Sequence, residues 1–435
     1  MNLSRKTLAL IIGHRLRSKR MDLGLSQSQV AKAICSQAGI SMFENGMDLP
    51  APETLKLLAE RLEDDLLKSY VESIRGDLND YSISEDDSLL LLDAFKGQKS
   101  RITSEQFSVA LSLIDTLYSK TMLREVLYLT KRIVDQYYRT HADLDSVYYR
   151  SCFYYGSCLL FQFQFDQAIE WLKISYQGIA QCDSLLQARI CYNLGYGYYC
   201  TNAFGKALWY THKAEHLFKE RNQYPNQGKA LVLIGAVLGQ LGMREESVES
   251  LHAGISLLEK WGANELDIVL SYSSLADQYL ALKQAHTAVK YCERIMQSPD
   301  ILDTHPVIRS SVERILSITA YLSSDIHRAL HHFSRAQDAA QQSGDQWTIA
   351  RTALLGIMVL PDEDAKIQMA ELIIDSDLNL STCIEHGLAY KYLVKLAKRN
   401  KKPHRVIKYL ELLMASYEMN IKSYTDISVY AESID

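Results

Sequence analysis

The sequence predicts an all-α protein in which a five-helix N-terminal domain precedes a right-handed α-solenoid of about eight helix pairs. Three observations predict this fold class: a length of 435 residues, apolar residues at helical spacing near the N-terminus, and a small-residue pattern that recurs along the rest of the chain. A single core rarely organises so long a chain, so we expect several domains or an extended array. With 47% apolar residues and 7 prolines, the composition argues against long disordered tracts.

Charge is unevenly distributed along the chain. Residues 1–62 carry nine Lys and Arg against five Asp and Glu, and the remainder carries 38 against 47. The net charge of −5 therefore divides into +4 for the N-terminal domain and −9 for the rest. A basic domain joined to an acidic body is typical of nucleic-acid binding, and chance variation in composition is the alternative explanation.

Apolar spacing and turn residues predict the helices of the N-terminal domain. A first helix covers residues 7–21 and stops at Gly24, and Ser26 caps a second helix over residues 27–34. After a short turn a third helix covers residues 37–45, and further helix follows. Two short helices joined by a tight turn form a helix-turn-helix, which lays its second helix in the major groove of DNA.

The predicted third helix carries side chains suited to reading base pairs. Gln37 can pair with adenine through two hydrogen bonds, and Ala38 can contact a thymine methyl group. Amides at the start of the second helix and the charge of Arg17 can hold phosphates. The predicted DNA-binding residues are Arg17, Gln27, Ser28, Ser36, Gln37, Ala38, Ser41, Met42 and Asn45. The alternative is a helical module that only packs against the rest of the chain.

Several short motifs occur in order in this domain: Ile12-Gly13, Leu16-Arg17, Arg20, Gly24-Leu25-Ser26-Gln27, Ile34-Cys35-Ser36-Gln37, Ile40-Ser41 and Glu44-Asn45-Gly46. Their order resembles the Cro/repressor-type (XRE) helix-turn-helix. The turn at residues 34–37 is similar to that of the RNPP family of Gram-positive quorum-sensing regulators (Rap, NprR, PlcR and PrgX), PlcR and NprR in particular. Met42 replaces the basic or polar residue common in the family, and Gly39 weakens the helix by about 1 kcal/mol relative to alanine. Both departures bear on the expected DNA sequence preference.

Small residues recur twelve positions apart beyond residue 105. The pairs are Gly156 and Ala168, Gly195 and Ala207, Gly235 and Ser247, and Ala276 and Ala288, with weaker versions beginning at Ile114, Ser317, Ala353 and Val394. Successive first members are 36 to 42 residues apart. This pattern is typical of tetratricopeptide (TPR) repeats, whose paired helices cross closely. The spacing exceeds the usual ~34 residues, which predicts longer helices or loops.

The same patterns predict three segments. Residues 1–66 form the helix-turn-helix domain, residues 67–104 form a linker helix and hinge, and residues 105–435 form the repeat domain, which binds a peptide and pairs two protomers. An acidic patch at residues 85–87 lies in the expected hinge.

Basic residues occupy equivalent positions in three consecutive repeats. Arg150, Arg189 and Lys229 each lie six positions before the crossing glycine, and Asn193 and Tyr196 flank the second of these glycines. First helices of such repeats line the concave face, where extended peptides bind. We therefore predict a site for a peptide with an acidic group or a free carboxylate. The alternative is a solvated basic stripe that pairs with nearby Asp and Glu.

The sequence lacks the motifs of a catalytic or metal site. It contains no phosphate-binding glycine-rich loop, no Gly-x-Ser-x-Gly and no His-Glu-x-x-His, so we expect neither an enzyme nor a cofactor. His305, His331 and His332 lack partners at metal-ligand spacing and are expected to be ordinary surface or core residues. None of the eight cysteines forms a Cys-x-x-Cys pair, and no apolar run reaches the ~18 residues of a membrane span. A cytoplasmic protein without a membrane partner is expected.

The resemblance implies a quorum-sensing transcriptional regulator. Such a protein binds a palindromic DNA operator as a homodimer, and a short signalling peptide in the repeat domain switches it. Two alternatives remain: a Rap-like repeat protein that binds and inhibits another regulator, such as a response-regulator protein, and a general repeat adaptor.

Overall fold

The computed structural model describes residues 5–75, 92, 104–140, 146–178, 180, 182–374, 384–399, 405, 407–409 and 411. Throughout these residues the regular secondary structure is helical, which confirms the all-α fold class. The chain divides into two units, residues 1–182 and residues 183–435, which are treated separately below. The acidic patch of the predicted hinge, Cys383, and Val406, which lies twelve residues after Val394, are outside the described residues.

Five helices form the N-terminal part of the first unit: α1 (Arg5–Asp22), α2 (Gln27–Ala31), α3 (Gln37–Glu44), α4 (Pro52–Arg61) and α5 (Asp65–Arg75). Ser26 caps α2, and its neighbour Gln29 completes a capping box by accepting from the Ser26 backbone amide. Gly24 ends the turn after α1 with a positive φ of 64°, a conformation that glycine adopts without strain. The predicted caps of this domain are thus present.

The predicted second helix is too long by three residues. In the structure α2 ends at Ala31, and Ala33 has a left-handed φ of 61°. Arg61, on α4, donates hydrogen bonds to the carbonyls of Val30 and Lys32. A cation at the C-terminal end of a helix satisfies carbonyls that have no partner within it. This contact comes from thirty residues away, so local sequence does not reveal it.

One glycine lets α1 and α3 approach closely. A Cβ on Gly13 would lie 2.0 Å from the carbonyl oxygen of Phe43, a distance that no side chain tolerates. Leu8, Ile12 and Leu16 lie on the same helix and are buried. The core of the domain therefore forms around direct contact between the first helix and the backbone of the third.

Two helix pairs complete the first unit, and five pairs follow in the described part of the second. The first unit contains α6 (Ser104–Ser119), α7 (Leu123–Thr140), α8 (Ser146–Phe161) and α9 (Phe165–Gln177). The second contains α10 (Ser184–Cys200), α11 (Phe204–Glu220), α12 (Tyr224–Gln240), α13 (Arg244–Lys260), α14 (Glu265–Ala281), α15 (Ala285–Ile295), a short α16 (Pro299–Thr304), α17 (Pro306–Leu322), α18 (Ile326–Ser343), α19 (Gln346–Val359), α20 (Glu363–Ile374) and α21 (Ile384–Arg399).

The two helices of a pair cross at the small residues that the sequence pattern marks. A Cβ on Gly195 would lie 2.2 Å from Thr211 Oγ1 on the second helix of its pair. In the next pair the Ser247 hydroxyl donates to the Gly235 carbonyl, twelve residues earlier, over 2.6 Å. The pattern therefore locates these two helix crossings.

The repeat changes toward the C-terminal side. After α15, which has 11 residues where α13 has 17, the extra helix α16 begins at Pro299. In the pair α19 and α20 the expected second small residue, Ala365, is only half-buried. The close approach falls on Gly356 instead, where a Cβ would lie 2.8 Å from Met369 Cγ. The pair α19 and α20 therefore keeps the two-helix arrangement and shifts its crossing.

No helix among the described residues is both long and apolar enough to span a membrane. The same residues contain no group of three or more His, Cys, Asp or Glu side chains arranged to hold a metal ion.

Gly195→Ala is expected to destabilise the second unit, because its Cβ has no room beside Thr211. Overpacking of this kind costs about 1–3 kcal/mol. Gly205→Ala, in α11, is the matched control, since a Cβ there meets nothing within 4 Å, and alanine favours the helix by up to ~1 kcal/mol. Urea unfolding followed by circular dichroism measures both. Equal midpoints for the two variants would contradict the close crossing.

Candidate functional site

The outer face of α3 gathers most of the predicted DNA-binding residues. Gln37, Ala38, Met42 and Asn45 are exposed, and Ser41 is partly exposed. Positions one, four, five and eight after a helical residue lie near one side of the helix. The opposite side carries Ile40 and Glu44, which are buried. The structure thus brings these five predicted side chains to one solvent-facing surface.

Two of the predicted DNA-binding side chains have contacts within α3 itself. Ser36 is the N-cap, and its hydroxyl accepts the amide of Gly39 at 3.0 Å. Asn45 follows the last residue of α3, and its side-chain amide donates to the Ser41 carbonyl at 2.8 Å. Both residues therefore help to define the ends of the helix.

A buried carboxylate fixes the helix-turn-helix internally. Glu44, on α3, accepts from the Arg20 guanidinium of α1 at 2.5 and 3.0 Å. It also accepts from the side-chain amide of Gln27, on α2, at 2.9 Å. The hydrogen bond to Glu44 raises the pKa of Arg20 above its usual value. The network joins all three helices.

This network was not predicted from the sequence. Arg20 and Glu44 both belong to the motifs that carry the family resemblance. Those motifs mark the two residues in the sequence, but they do not indicate that the side chains form an ion pair. Gln27 was predicted to lie against phosphate, and its side-chain amide is instead engaged by Glu44. Its backbone amide remains in the first turn of α2.

The predicted phosphate-contacting residues outside α3 differ in exposure. Arg17 is exposed on α1, and Ser28 is exposed on α2, where its hydroxyl lies 3.0 Å from that of Ser26. Arg15, also on α1, is unavailable because Asp64 holds its guanidinium at 3.0 Å. Arg17 is therefore a predicted phosphate-contacting cation that is exposed on α1.

The tetratricopeptide-like body presents a second candidate site on α10 and α12. Arg189 is exposed, and within the described residues it makes no ion pair. Asn193 is half-buried one turn further along, and Tyr196 is 36% exposed. Lys229, on α12, pairs with Asp267 of α14 at 2.7 Å. One cation of the predicted basic set is therefore open to a ligand, and another is neutralised.

The remaining member of the predicted set, Arg150, lies in the first unit. Its guanidinium donates to Asp115 of α6 at 2.9 Å, and the Tyr154 hydroxyl donates to the same carboxylate. Arg150 and Lys229 therefore both pair with nearby carboxylates, as the alternative interpretation of the basic residues expected. The carboxylate partner of Arg150 is Asp115, which directly follows Ile114, the first residue of one of the weaker repeat pairs.

Tyrosines on α10 form a polar cluster. Burial raises the pKa of Tyr192, Tyr196 and Tyr199 above the usual tyrosine value. Tyr196 shares a hydrogen bond with the thiol of Cys200, and burial raises the pKa of that thiol to about 12. These hydroxyls and this thiol are therefore neutral hydrogen-bonding groups at physiological pH.

Tyr199 connects α10 with three other first helices. Its hydroxyl forms a hydrogen bond with Gln240 of α12, and the charges of Arg351, on α19, and Asp277, on α14, act on its pKa. Asp277 itself pairs with Arg314 of α17 at 2.7 Å. Helical spacing places Arg189, Asn193 and Tyr196 on the same side of α10 as Tyr199. We call this face, defined by Arg189, Asn193, Tyr196, Tyr199, Asp277 and Arg351, the repeat face.

The histidines have ordinary structural contacts. His332 is buried and lies 2.7 Å from Glu313, whose other oxygen accepts from Arg335 at 2.9 Å. His305 is partly exposed and contacts the hydroxyl of Thr304.

Fold and surface together define a class of protein: a helix-turn-helix protein with a body of paired helices. Residues 16–63 match the family model of helix-turn-helix domains (HTH_3). No curated protein sequence matches the chain.

Solved structures share the fold over most of the chain. The apo form of the quorum sensor NprR from B. thuringiensis has a TM-score of 0.57 and 13% identity, covering 83% of this chain and 99% of that one. A Rap protein complexed with Competence and Sporulation Factor has a TM-score of 0.54 and 14% identity, covering 94% and 100%. The Rap conjugation gene regulator of plasmid pLS20, in complex with the Phr* peptide, has a TM-score of 0.50 and 13% identity, covering 99% and 98%. The predicted helix-turn-helix and the predicted all-α repeat fold are thereby confirmed.

Glu44→Ala is expected to loosen the helix-turn-helix, because it leaves the guanidinium of Arg20 without its partner in a largely buried position. Removing one member of a buried pair costs about 3 kcal/mol. Asp65→Ala is the control, since it breaks only an exposed pair with Lys68. Hydrogen exchange of the amides in α2 and α3 measures the effect. Protection that is unchanged in Glu44→Ala would show that the network does not hold these helices.

Proposed function

We propose that the chain is a DNA-binding transcriptional regulator of the cytoplasm, with the outer face of α3 as its base-reading surface. The observation that carries the proposal is the exposure of Gln37, Ala38, Met42 and Asn45 on one side of a helix whose other side is fixed in the core. A helix-turn-helix places such a face in the major groove. The exposed Arg17 would add a phosphate contact.

Gln37→Ala is expected to weaken binding to the DNA upstream of the chain's own gene by about tenfold, because a two-point contact with adenine contributes ~1–3 kcal/mol. An electrophoretic mobility shift with the full chain measures this. Gln162→Ala, which removes an exposed amide in the turn between α8 and α9, is the matched control. Absence of DNA binding under every condition, with and without peptide, would rule out the proposal.

We further propose that the repeat face binds a short signalling peptide and that the peptide changes DNA affinity. Arg189 supports a contact with an acidic side chain or a terminal carboxylate, because it is exposed and makes no ion pair with any residue that the structure describes. Asn193 and Tyr196 offer an amide and a neutral hydroxyl next to it on α10. Two proteins with this fold support the proposal: the pLS20 regulator is in complex with the Phr* peptide, and a Rap protein is in complex with Competence and Sporulation Factor.

Arg189→Glu is expected to reduce peptide affinity by at least tenfold, because it replaces an attractive charge with a repulsive one. Arg150 and Lys229 are expected to contribute less, since each already has a carboxylate partner. Calorimetry with synthetic peptides from small open reading frames beside the gene measures the affinity. Arg221→Glu, an exposed arginine at the end of α11, is the control. Equal affinities of Arg189→Glu and the unchanged chain would remove Arg189 from the site.

In the proposed mechanism two protomers bind a palindromic operator with half-sites about 34 Å apart, or a multiple of that distance. The peptide favours whichever arrangement of the repeats it binds more tightly. Because linkage is reciprocal, DNA and peptide must change each other's affinity by the same factor.

A second candidate function is binding to another regulatory protein, such as a response regulator. The fold match to Rap structures over 94% of this chain favours it. It is compatible with DNA binding, and it would stand alone if the mobility shift is negative.

A further inference from the structure

The outer face of α3 carries no formal charge. Its exposed or partly exposed side chains are Gln37, Ala38, Ser41, Met42 and Asn45. The single charged side chain in α3 is Glu44, which is buried and already accepts three hydrogen bonds. What this face can recognise follows from that composition, and the inference below rests on the proposed DNA binding.

The common contacts to G·C pairs are made by charged side chains. Guanine is read mainly by arginine or lysine, which donate to O6 and N7 together, and cytosine by aspartate or glutamate, which accept from N4. None of these residues lies on the exposed face of α3. Arg20 cannot substitute, because its guanidinium is held by Glu44 and by the Leu25 carbonyl.

The polar groups of the face are not equally available. Asn45 donates its amide to the Ser41 carbonyl, and the Ser36 hydroxyl accepts the Gly39 amide. The amide of Gln37 makes no hydrogen bond among the described residues and is exposed in the first turn. A free glutamine amide fits the N6 and N7 atoms of adenine.

Two apolar side chains stand beside this amide. Ala38 and Met42 are one turn apart on the exposed side, and Met42 is 45% exposed. In the major groove the C5 methyl of thymine is the apolar group that small and flexible apolar side chains contact. An exposed methionine beside an alanine therefore matches a thymine methyl better than any polar base edge.

We propose that α3 recognises A·T pairs, with Gln37 on adenine and with Ala38 and Met42 on thymine methyl groups. Met42 is then a specificity-determining residue. Contact between Met42 and a thymine methyl group would favour an A·T pair, whereas a basic residue at this position would favour guanine.

The test begins with selection of duplexes from a random library by the full-length chain, followed by replacement of each selected thymine with deoxyuridine. Deoxyuridine keeps the hydrogen-bonding pattern of thymine and lacks its methyl group. The selected half-sites should contain A·T pairs at their core, and at least one deoxyuridine should weaken binding about fivefold. In Met42→Ala that position should lose its sensitivity, whereas Met42→Leu, which keeps an apolar contact, should retain it.

Met47→Ala is the matched control, because Met47 is 76% exposed but follows the end of α3. Its sensitivity to deoxyuridine should equal that of the unchanged chain. Circular dichroism of each variant checks that the helices are intact. As a gain-of-function variant, Met42→Lys should shift the selected half-site toward G·C at one position.

The outcomes separate this inference from the proposed function. Enrichment of G·C-rich half-sites, or binding that is indifferent to every deoxyuridine, would overturn methyl recognition while leaving DNA binding intact. Sensitivity that persists unchanged in Met42→Ala would overturn the role of Met42. If no duplex is enriched at all, the proposed function fails, and this inference fails with it.

Discussion

The body of the protein depends on how closely the two helices of each pair approach at their crossing. At Gly195 and Gly235 the partner helix occupies the space that a Cβ would need, and at Ser247 the hydroxyl bonds directly to the facing backbone. Because the crossing is so close, the larger side chains on either side of it interdigitate, and the first helices are aligned in a row. The positions of Arg189 on α10 and Asp277 on α14 follow from that alignment. The proposed peptide site is thus a consequence of small residues that never touch a ligand.

The helix-turn-helix is organised by a similar combination of close contact and buried polarity. Gly13 lets α1 meet the backbone of α3, and Glu44 joins α1, α2 and α3 through Arg20 and Gln27. The contact fixes the distance between helices, and the network fixes the rotation of α3 about its own axis. That rotation decides which side chains face solvent. Interior residues therefore determine the composition of the surface that we propose reads DNA.

Features with a local cause could be predicted from the sequence. The caps at Ser26 and Ser36 and the crossings at the small residues depend on neighbours a few or twelve positions away. The end of α2 could not be predicted, because Arg61 satisfies its carbonyls from a distant helix.

The same distinction holds for the candidate sites. The outer face of α3 follows from helical periodicity, so spacing alone brings its residues to one surface. The partners of Lys229 and Arg150 belong to neighbouring repeats, and no spacing rule in one repeat indicates which charges will be neutralised. The spacing of the α10 tyrosines does not distinguish them from packing residues, because aromatic residues are common at helix crossings. Only the folded arrangement shows that Tyr199 joins charges from several helices.

The burial of Glu44 has a consequence for how ionic strength acts on the proposed complex with DNA. Mobile ions screen exposed charges such as Arg17 strongly and buried pairs such as Arg20 with Glu44 much less. Salt therefore weakens the attraction to phosphate for every DNA sequence alike, while the orientation of α3 stays fixed. Because the outer face of α3 is itself uncharged, its preference among base pairs survives that weakening. In the proposed complex, affinity and selectivity are therefore separated, and changes in salt concentration would adjust the first without altering the second.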